Sequence, residues 1–147
     1  MCGVIDKPEF EKIYSRYIIN PEWFGTTVPF PSIAISDPAF NGERLMNNWG
    51  GMSQSHTALE TVYWMRQYGK NDDFEAVATI WMDLFLHSGK FFTQEAHPLT
   101  GEMSDCAPCF VTSCIAFMKF AELLGYIDRG PCFSKEAFNE LSEVHLI

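Results

Sequence analysis

Positive charge is scarce in this chain. Ten lysines and arginines face nineteen aspartates and glutamates, a formal net charge of −9. That balance excludes nucleic acid as a partner, because phosphate backbones need a basic face. Long apolar runs are missing as well. Lys, Glu, Asp or Asn interrupts every candidate before the ~20 residues of a membrane span, so no membrane partner is expected. The opening stretch Met1-Cys2-Gly3-Val4-Ile5-Asp6-Lys7-Pro8 lacks the basic and apolar blocks of a secretory signal, and the expected compartment is the cytoplasm. Cysteines number five, an odd count with no secreted framework. Cys106-Ala107-Pro108-Cys109 is a CxxC, but a structural zinc site wants a second pair at matching spacing. Cys114, Cys132, His97 and His145 do not supply one, and no βαβ pattern surrounds the motif as a redox centre would require. Neither metal nor cofactor is expected, and the cysteines read as buried, reduced thiols. Ser/Gly linkers and low-complexity tracts are absent too, so residues 1–147 read as one unit.

What the chain has in quantity is apolar and aromatic surface. Hydrophobic residues make up 47% and aromatics 15%, with thirteen Phe, five Tyr and four Trp. This is enough for a core and excludes disorder. The patterning is helical. Phe10, Ile13, Tyr14, Tyr17 and Ile18 recur at three- and four-residue spacing, predicting a helix from Lys7 to Ile19 with Asp6 as cap and Pro8 in its first turn. A second helix is predicted from Gln54 to Tyr68, capped by Ser53 and ended by a left-handed Gly69. A third runs from Asn71-Asp72 to Ser88. It is apolar over most of its girth, which predicts burial against more than one neighbour. A fourth spans Phe110 to Leu124, and a short fifth begins at Ser134 and reaches Val144. No sheet is expected. The stretch Val28 to Ile35 reads as at most an edge segment, because Pro29 and Pro31 cannot donate to a ladder.

Two long segments break this helical array, Asn20 to Ser53 and Lys90 to Cys109. Loops of such length in a compact domain are usually functional. The second and third helices are joined by a few residues and should be antiparallel neighbours. Both long loops then leave the array at the same end and can converge on one pocket. Their residues suit a neutral, hydroxyl-rich ligand. Trp49 and Trp23 offer flat rings for a pyranose face, although Trp23 could equally pack in the core. Asn47, Asn48 and Gln54 carry paired donors and acceptors for hydroxyls, or else hold their own loop together. Asp37 precedes Pro38 in a turn signature, with sugar ligation as its alternative. Glu102 and Asp105 read as turn or cap residues, His56 as a structural histidine, and Trp64 and Trp81 as core. Glu95, in Gln94-Glu95-Ala96-His97-Pro98-Leu99-Thr100-Gly101, is the carboxylate best placed for chemistry, set against the plain alternative of a solvated loop glutamate.

Several blocks resemble the six-hairpin glycosidases, the (α/α)6-barrel group that includes trehalase, processing α-glucosidase I and mannosylglycerate hydrolase-like enzymes. Phe30 to Phe40 looks like the loop before their substrate-facing helix. Asn47-Asn48-Trp49-Gly50-Gly51-Met52-Ser53-Gln54 resembles their Tyr-Trp-Arg-Gly-Pro-type segment, without its Arg-Gly-Pro. Tyr63 to Gly69 is similar to their Leu-x-x-Tyr-Gly helix end. Gln94 to Gly101 looks like their Glu-Asn-Tyr-x-Pro-x-Thr-Gly loop, with Ala96-His97 in place of Asn-Tyr. The blocks stand in the family's order over Trp23 to Ile127. The resemblance implies an all-α fold, a partial (α/α)6 toroid of antiparallel helical hairpins forming the C-terminal portion of the catalytic domain. It also implies a glycoside hydrolase of inverting type, in which Glu95 is the general base in a polar loop that keeps it ionised. Trp49, Asn48, Gln54, Trp23 and Asp37 are then the candidate contacts to an oligosaccharide or glycoside substrate. The family's aspartate acid lies upstream of the Trp-Gly loop, and nothing from Met1 to Asn20 matches its motif. Little or no turnover is therefore expected of this chain alone, and helix faces lacking neighbours should self-associate. The alternative is a non-catalytic helical carbohydrate-binding or scaffold module that keeps the packing without the chemistry.

Overall fold

The computed structural model describes residues 5–43 and 49–128. Asn47, Asn48, Cys132, His145 and the helix expected from Ser134 to Val144 lie outside the described residues. Within them the protein is mostly helical. Helix α1 spans Lys7–Ile13, α2 Ser55–Gln67, α3 Asn71–His87 and α4 Val111–Leu123.

The ends of these helices follow local chemistry. The Asp6 carboxylate accepts from the Glu9 amide at 2.8 Å and caps α1, and Pro8 occupies its first turn. The helix stops being α-helical sooner than its apolar stripe predicts. From Tyr14 to Ile18 it widens into a π-helical turn, and Ile19 marks its end. Helix α2 begins one residue late, and Ser53 does not cap it. The Ser53 hydroxyl instead donates to the Val28 carbonyl at 2.6 Å, because Ser53 is drawn into a strand. Gly69, Gly89 and Gly125 all have positive φ just beyond the ends of α2, α3 and α4, the stop that glycine makes cheap.

Helices α2, α3 and α4 pack against one another pairwise. Trp81, Ala78, Phe120 and Ala116 are fully buried between them, with Met65 nearly so. Complete burial of each large side chain contributes roughly 1.5–3 kcal/mol. The broad apolar girth of α3 is thereby explained, since it serves both α2 and α4. Helix α1 docks on the α2–α3 turn. Phe10 stacks on Tyr68 with centroids 3.8 Å apart, the Tyr68 hydroxyl donates to the Ile5 carbonyl at 3.0 Å, and Lys70 pairs with Glu11 at 2.8 Å.

The sequence expectation of no sheet is corrected. Strand β1 (Ser53–Gln54) pairs antiparallel with β2 (Glu95–Ala96), Ser53 opposite Ala96 and Gln54 opposite Glu95. Single bridges extend the ladder on both sides, from Pro31 to Ser53 and from Ala96 to Met103. Each run is too short for strand periodicity to be visible in sequence. Pro31 stands at the edge, where its missing N–H costs nothing. The two long loops therefore meet in a seam of paired backbone, tightened by the Val28 amide donating to the Pro98 carbonyl at 2.9 Å.

The expected burial of the cysteines also needs correction. Cys109 is exposed, and Cys106 and Cys114 are half-buried; all three are free thiols. Cys106 and Cys109 lie in the loop before α4, and α4 itself turns Ser113, Ala116, Phe120 and Ala121 inward rather than Cys114. No described helix is long and apolar enough to cross a membrane.

Candidate functional site

The seam concentrates polar side chains where a helical protein ordinarily has none. Ser53, Gln54, Ser55, Thr93, Gln94, Glu95 and Ser104 are all buried. Their backbone groups are consumed by the short ladder and its extensions. The Ser55 amide donates to the Gln94 carbonyl at 3.0 Å, and Ser104 to the Glu95 carbonyl at 3.0 Å. The Ser113 hydroxyl, on the first turn of α4, donates to the Thr93 carbonyl at 2.9 Å and is hydrogen-bonded to the Ser55 hydroxyl at 2.8 Å, so the seam is fixed to the helices.

Glu95 lies at the centre and is fully buried. This overturns the plain reading of it as a solvated loop glutamate; its surroundings are polar, but they are buried. Removing a carboxylate from water is costly unless it is hydrogen-bonded, and the structure supplies a donor across the ladder. Gln54 Nε2 donates to Glu95 Oε2 at 2.8 Å. Gln94 Nε2 in turn donates to Gln54 Oε1 at 3.0 Å, and the Cys106 thiol lies 3.8 Å from Gln94 Oε1. Cys106 is thereby tied to the buried cluster, a role that its CxxC spacing does not announce.

Trp49 sits near the start of α2 with half its surface exposed, its ring 5.0 Å from that of His56. Connectivity thus gathers Trp49, His56, Gln54 and Glu95 around the junction of β1 and α2. Residues just before and just after Trp49's segment come close together. Asn41 donates to the Gly50 carbonyl at 3.1 Å, and a Cβ on Gly51 would stand 2.0 Å from the Asn41 carbonyl oxygen. Only glycine fits there.

Two other candidates belong elsewhere. Trp23 packs edge-on against Tyr17 at 4.9 Å, and its carbonyl accepts from Ile35 at 3.1 Å. Asp37 is exposed, with its carboxylate accepting from the Ala39 amide at 2.8 Å in an Asx turn. Neither hydrogen-bonds to the seam. Asn48 lies outside the described residues. His97, beside the seam, accepts at Nδ1 from the amides of Leu99 and Thr100 at 3.1 and 3.2 Å. Its ring proton therefore belongs on Nε2.

Backbone strain clusters in the same segments. Phe30, Phe92, Ala107 and Cys109 have φ of 65°, 49°, 57° for Cys109 and 50° for Ala107, values that glycine adopts freely and these residues do not. Such strain costs on the order of 1 kcal/mol or more per residue and persists where surroundings enforce it. No sequence pattern marks it, since all four are ordinary loop residues. The chain matches no family model, and no curated protein is similar to it.

Proposed function

We propose that this chain supplies the general-base side of an inverting glycoside hydrolase of the six-hairpin type, its helices forming part of an (α/α)6 toroid. The observation that carries the reading is the buried Glu95 carboxylate, held by Gln54 across a seam where two long loops meet beside a half-exposed tryptophan. In this reading Glu95 takes a proton from a water that attacks the anomeric carbon. A second carboxylic acid, about 6.5–9.5 Å away in such enzymes, protonates the leaving oxygen as the glycosidic bond breaks. The family resemblance places that acid upstream of the Trp49-Gly50 loop. Trp49 offers a ring for the sugar face. Leu86, Ile115 and Met118, exposed on α3 and α4, fit helix faces that pack against neighbours in a complete toroid or a second copy.

Glu95→Gln in the full native protein tests the assignment. Release of p-nitrophenol from a panel of p-nitrophenyl glycosides, and of glucose from trehalose, should fall about 10²–10⁴-fold, with sugar binding kept. Unchanged turnover would remove Glu95 from the chemistry.

One observation favours the non-catalytic module instead. Glu95 is fully buried and Gln54 spends both ends of its amide inside the protein, as a purely structural polar core would. The same substitution separates the two readings. A module would keep its sugar binding and show no hydrolysis to lose.

A further inference from the structure

The Gln54 side chain has the residue type of a sugar ligand, but its geometry is that of a clamp. It is 1% exposed. Its Nε2 donates to Glu95 Oε2 at 2.8 Å and its Oε1 accepts from Gln94 Nε2 at 3.0 Å. An amide with one end accepting and the other donating cannot turn over without breaking both bonds. Gln94 therefore dictates which end of Gln54 faces Glu95. Gln94 is oriented in turn, with its Oε1 toward the Cys106 thiol. All three donors run one way, from Cys106 through Gln94 and Gln54 to the carboxylate.

The backbone fixes the same pair independently. Gln54 and Glu95 are directly opposite in the β1–β2 register, and the next residues, Ser55 and Gln94, are joined by a 3.0 Å backbone bond. Side chains directly opposite across a ladder project to the same face. Glu95 is thus held by register, by a hydrogen bond and by a locked amide.

We propose that Gln54 is the positioning residue of Glu95, oriented by Gln94, and that it fixes Oε2 so that the carboxylate meets its reactant in one geometry. Gln54 itself does not touch the sugar. This rests on the reading of Glu95 as general base. A carboxylate misplaced by about 1 Å can lose on the order of 10²-fold in rate. The predicted signature is a loss in kcat with KM kept, because a positioning contact acts on the transition state and leaves ground-state binding alone.

The test has two arms. In the full native protein, Gln54→Met keeps the side-chain length and removes the donor. Turnover of the p-nitrophenyl glycoside panel should then lose about 10–100-fold in kcat, with KM changed less than about twofold. Gln94→Met should give a smaller loss of the same kind. A raised KM with kcat kept would make Gln54 a sugar contact and overturn the proposal, as would no change in either constant. The second arm needs no turnover. In the 147-residue chain, the side-chain amide protons of Gln54 and Gln94 should exchange with solvent about 100-fold more slowly than those of exposed Gln67. Glu95→Leu should release the protection at Gln54 first. Fast exchange at Gln54 in the unsubstituted chain would sink the clamp whatever the enzyme does. A native protein that hydrolyses nothing in the panel would overturn the hydrolase reading, and the exchange arm would then decide the clamp by itself.

Discussion

Two carboxylates in this protein are each met by a donor from a distant part of the chain, and their settings differ. Asp73 lies on the first turn of α3 and accepts from the Tyr14 hydroxyl at 2.7 Å, tying α1 to the helical core. It is exposed, so water shares the solvation of its charge. Glu95 accepts from Gln54 at 2.8 Å and has no exposed surface. The surface carboxylate fastens one helix to another at small cost, since losing the partner returns it to solvent. The buried one depends on its partners, since solvent cannot replace them. A fold seldom keeps a buried carboxylate for packing alone when an apolar side chain would serve. The contrast is the physical reason for seeking function at the seam and stability at the α1 junction.

The largest expected effect on stability tests that contrast. Glu95→Leu leaves the buried Gln54 amide without its acceptor and should cost about 1–3 kcal/mol. Asp73→Ala removes a part-buried hydrogen bond whose acceptor is exposed, and should cost about 0.5–1.5 kcal/mol. Urea unfolding of both variants measures the difference. Equal costs would mean that the seam is no more demanding than a surface junction, and the comparison would collapse.

The α1 junction has its own signature in pH. Burial foremost, then the hydrogen bond to Asp73 and the negative charges of Asp73 and Glu11, push the Tyr14 phenol well above its usual range. The folded state therefore keeps the Tyr14 proton at a pH where the unfolded chain begins to lose it, near about 10. This contribution to stability is complete below that pH and declines as pH rises past it, by up to about 1.4 kcal/mol per pH unit. Lys70 lies 4.4 Å above the Tyr14 ring and pairs with Glu11, so the reading is the difference from Tyr14→Phe, which keeps that neighbour in place. The variant should unfold with a shallower dependence above pH 10. Equal slopes would show that the phenol is not shielded at the junction.

The helical half of this protein was legible in sequence because its determinants are local and repeated. Asp6, Pro8, Gly69 and Gly125 announce helix ends, and the stripes through Phe10 and Trp81 announce buried faces. The convergence of the two loops followed from the short α2–α3 link. The seam itself was not legible. A two-residue strand has no period, and Ser53 looks the same whether it caps a helix or bonds to Val28 across a ladder. Gln54 shows the limit most clearly. An amide in a loop beside a tryptophan reads as a hydroxyl ligand, and only the register that sets it opposite Glu95 gives it another task. The exposed Cys109 and the strained Phe30 and Phe92 were equally out of reach, because burial and φ at loop positions are set by tertiary contacts.

The smallest expected effect completes the series. Asp105 is the exposed end of the comparison, with 76% of its side chain in solvent and an ion pair to Lys90. Such pairs gain little, since water screens the attraction and two flexible side chains must be ordered to form it. Asp105→Asn should change stability by no more than about 0.5 kcal/mol. The same variant is a sharp control for function. Asp105 lies in the loop that carries Glu95 and is, with Glu102, one of its acidic rivals there, but it points its charge at Lys90. Turnover in the full native protein should survive Asp105→Asn at close to its original rate, while Glu95→Gln removes it. A loss of hydrolysis on substituting Asp105, with stability unchanged, would move the base to the surface and reverse the inference from burial to chemistry.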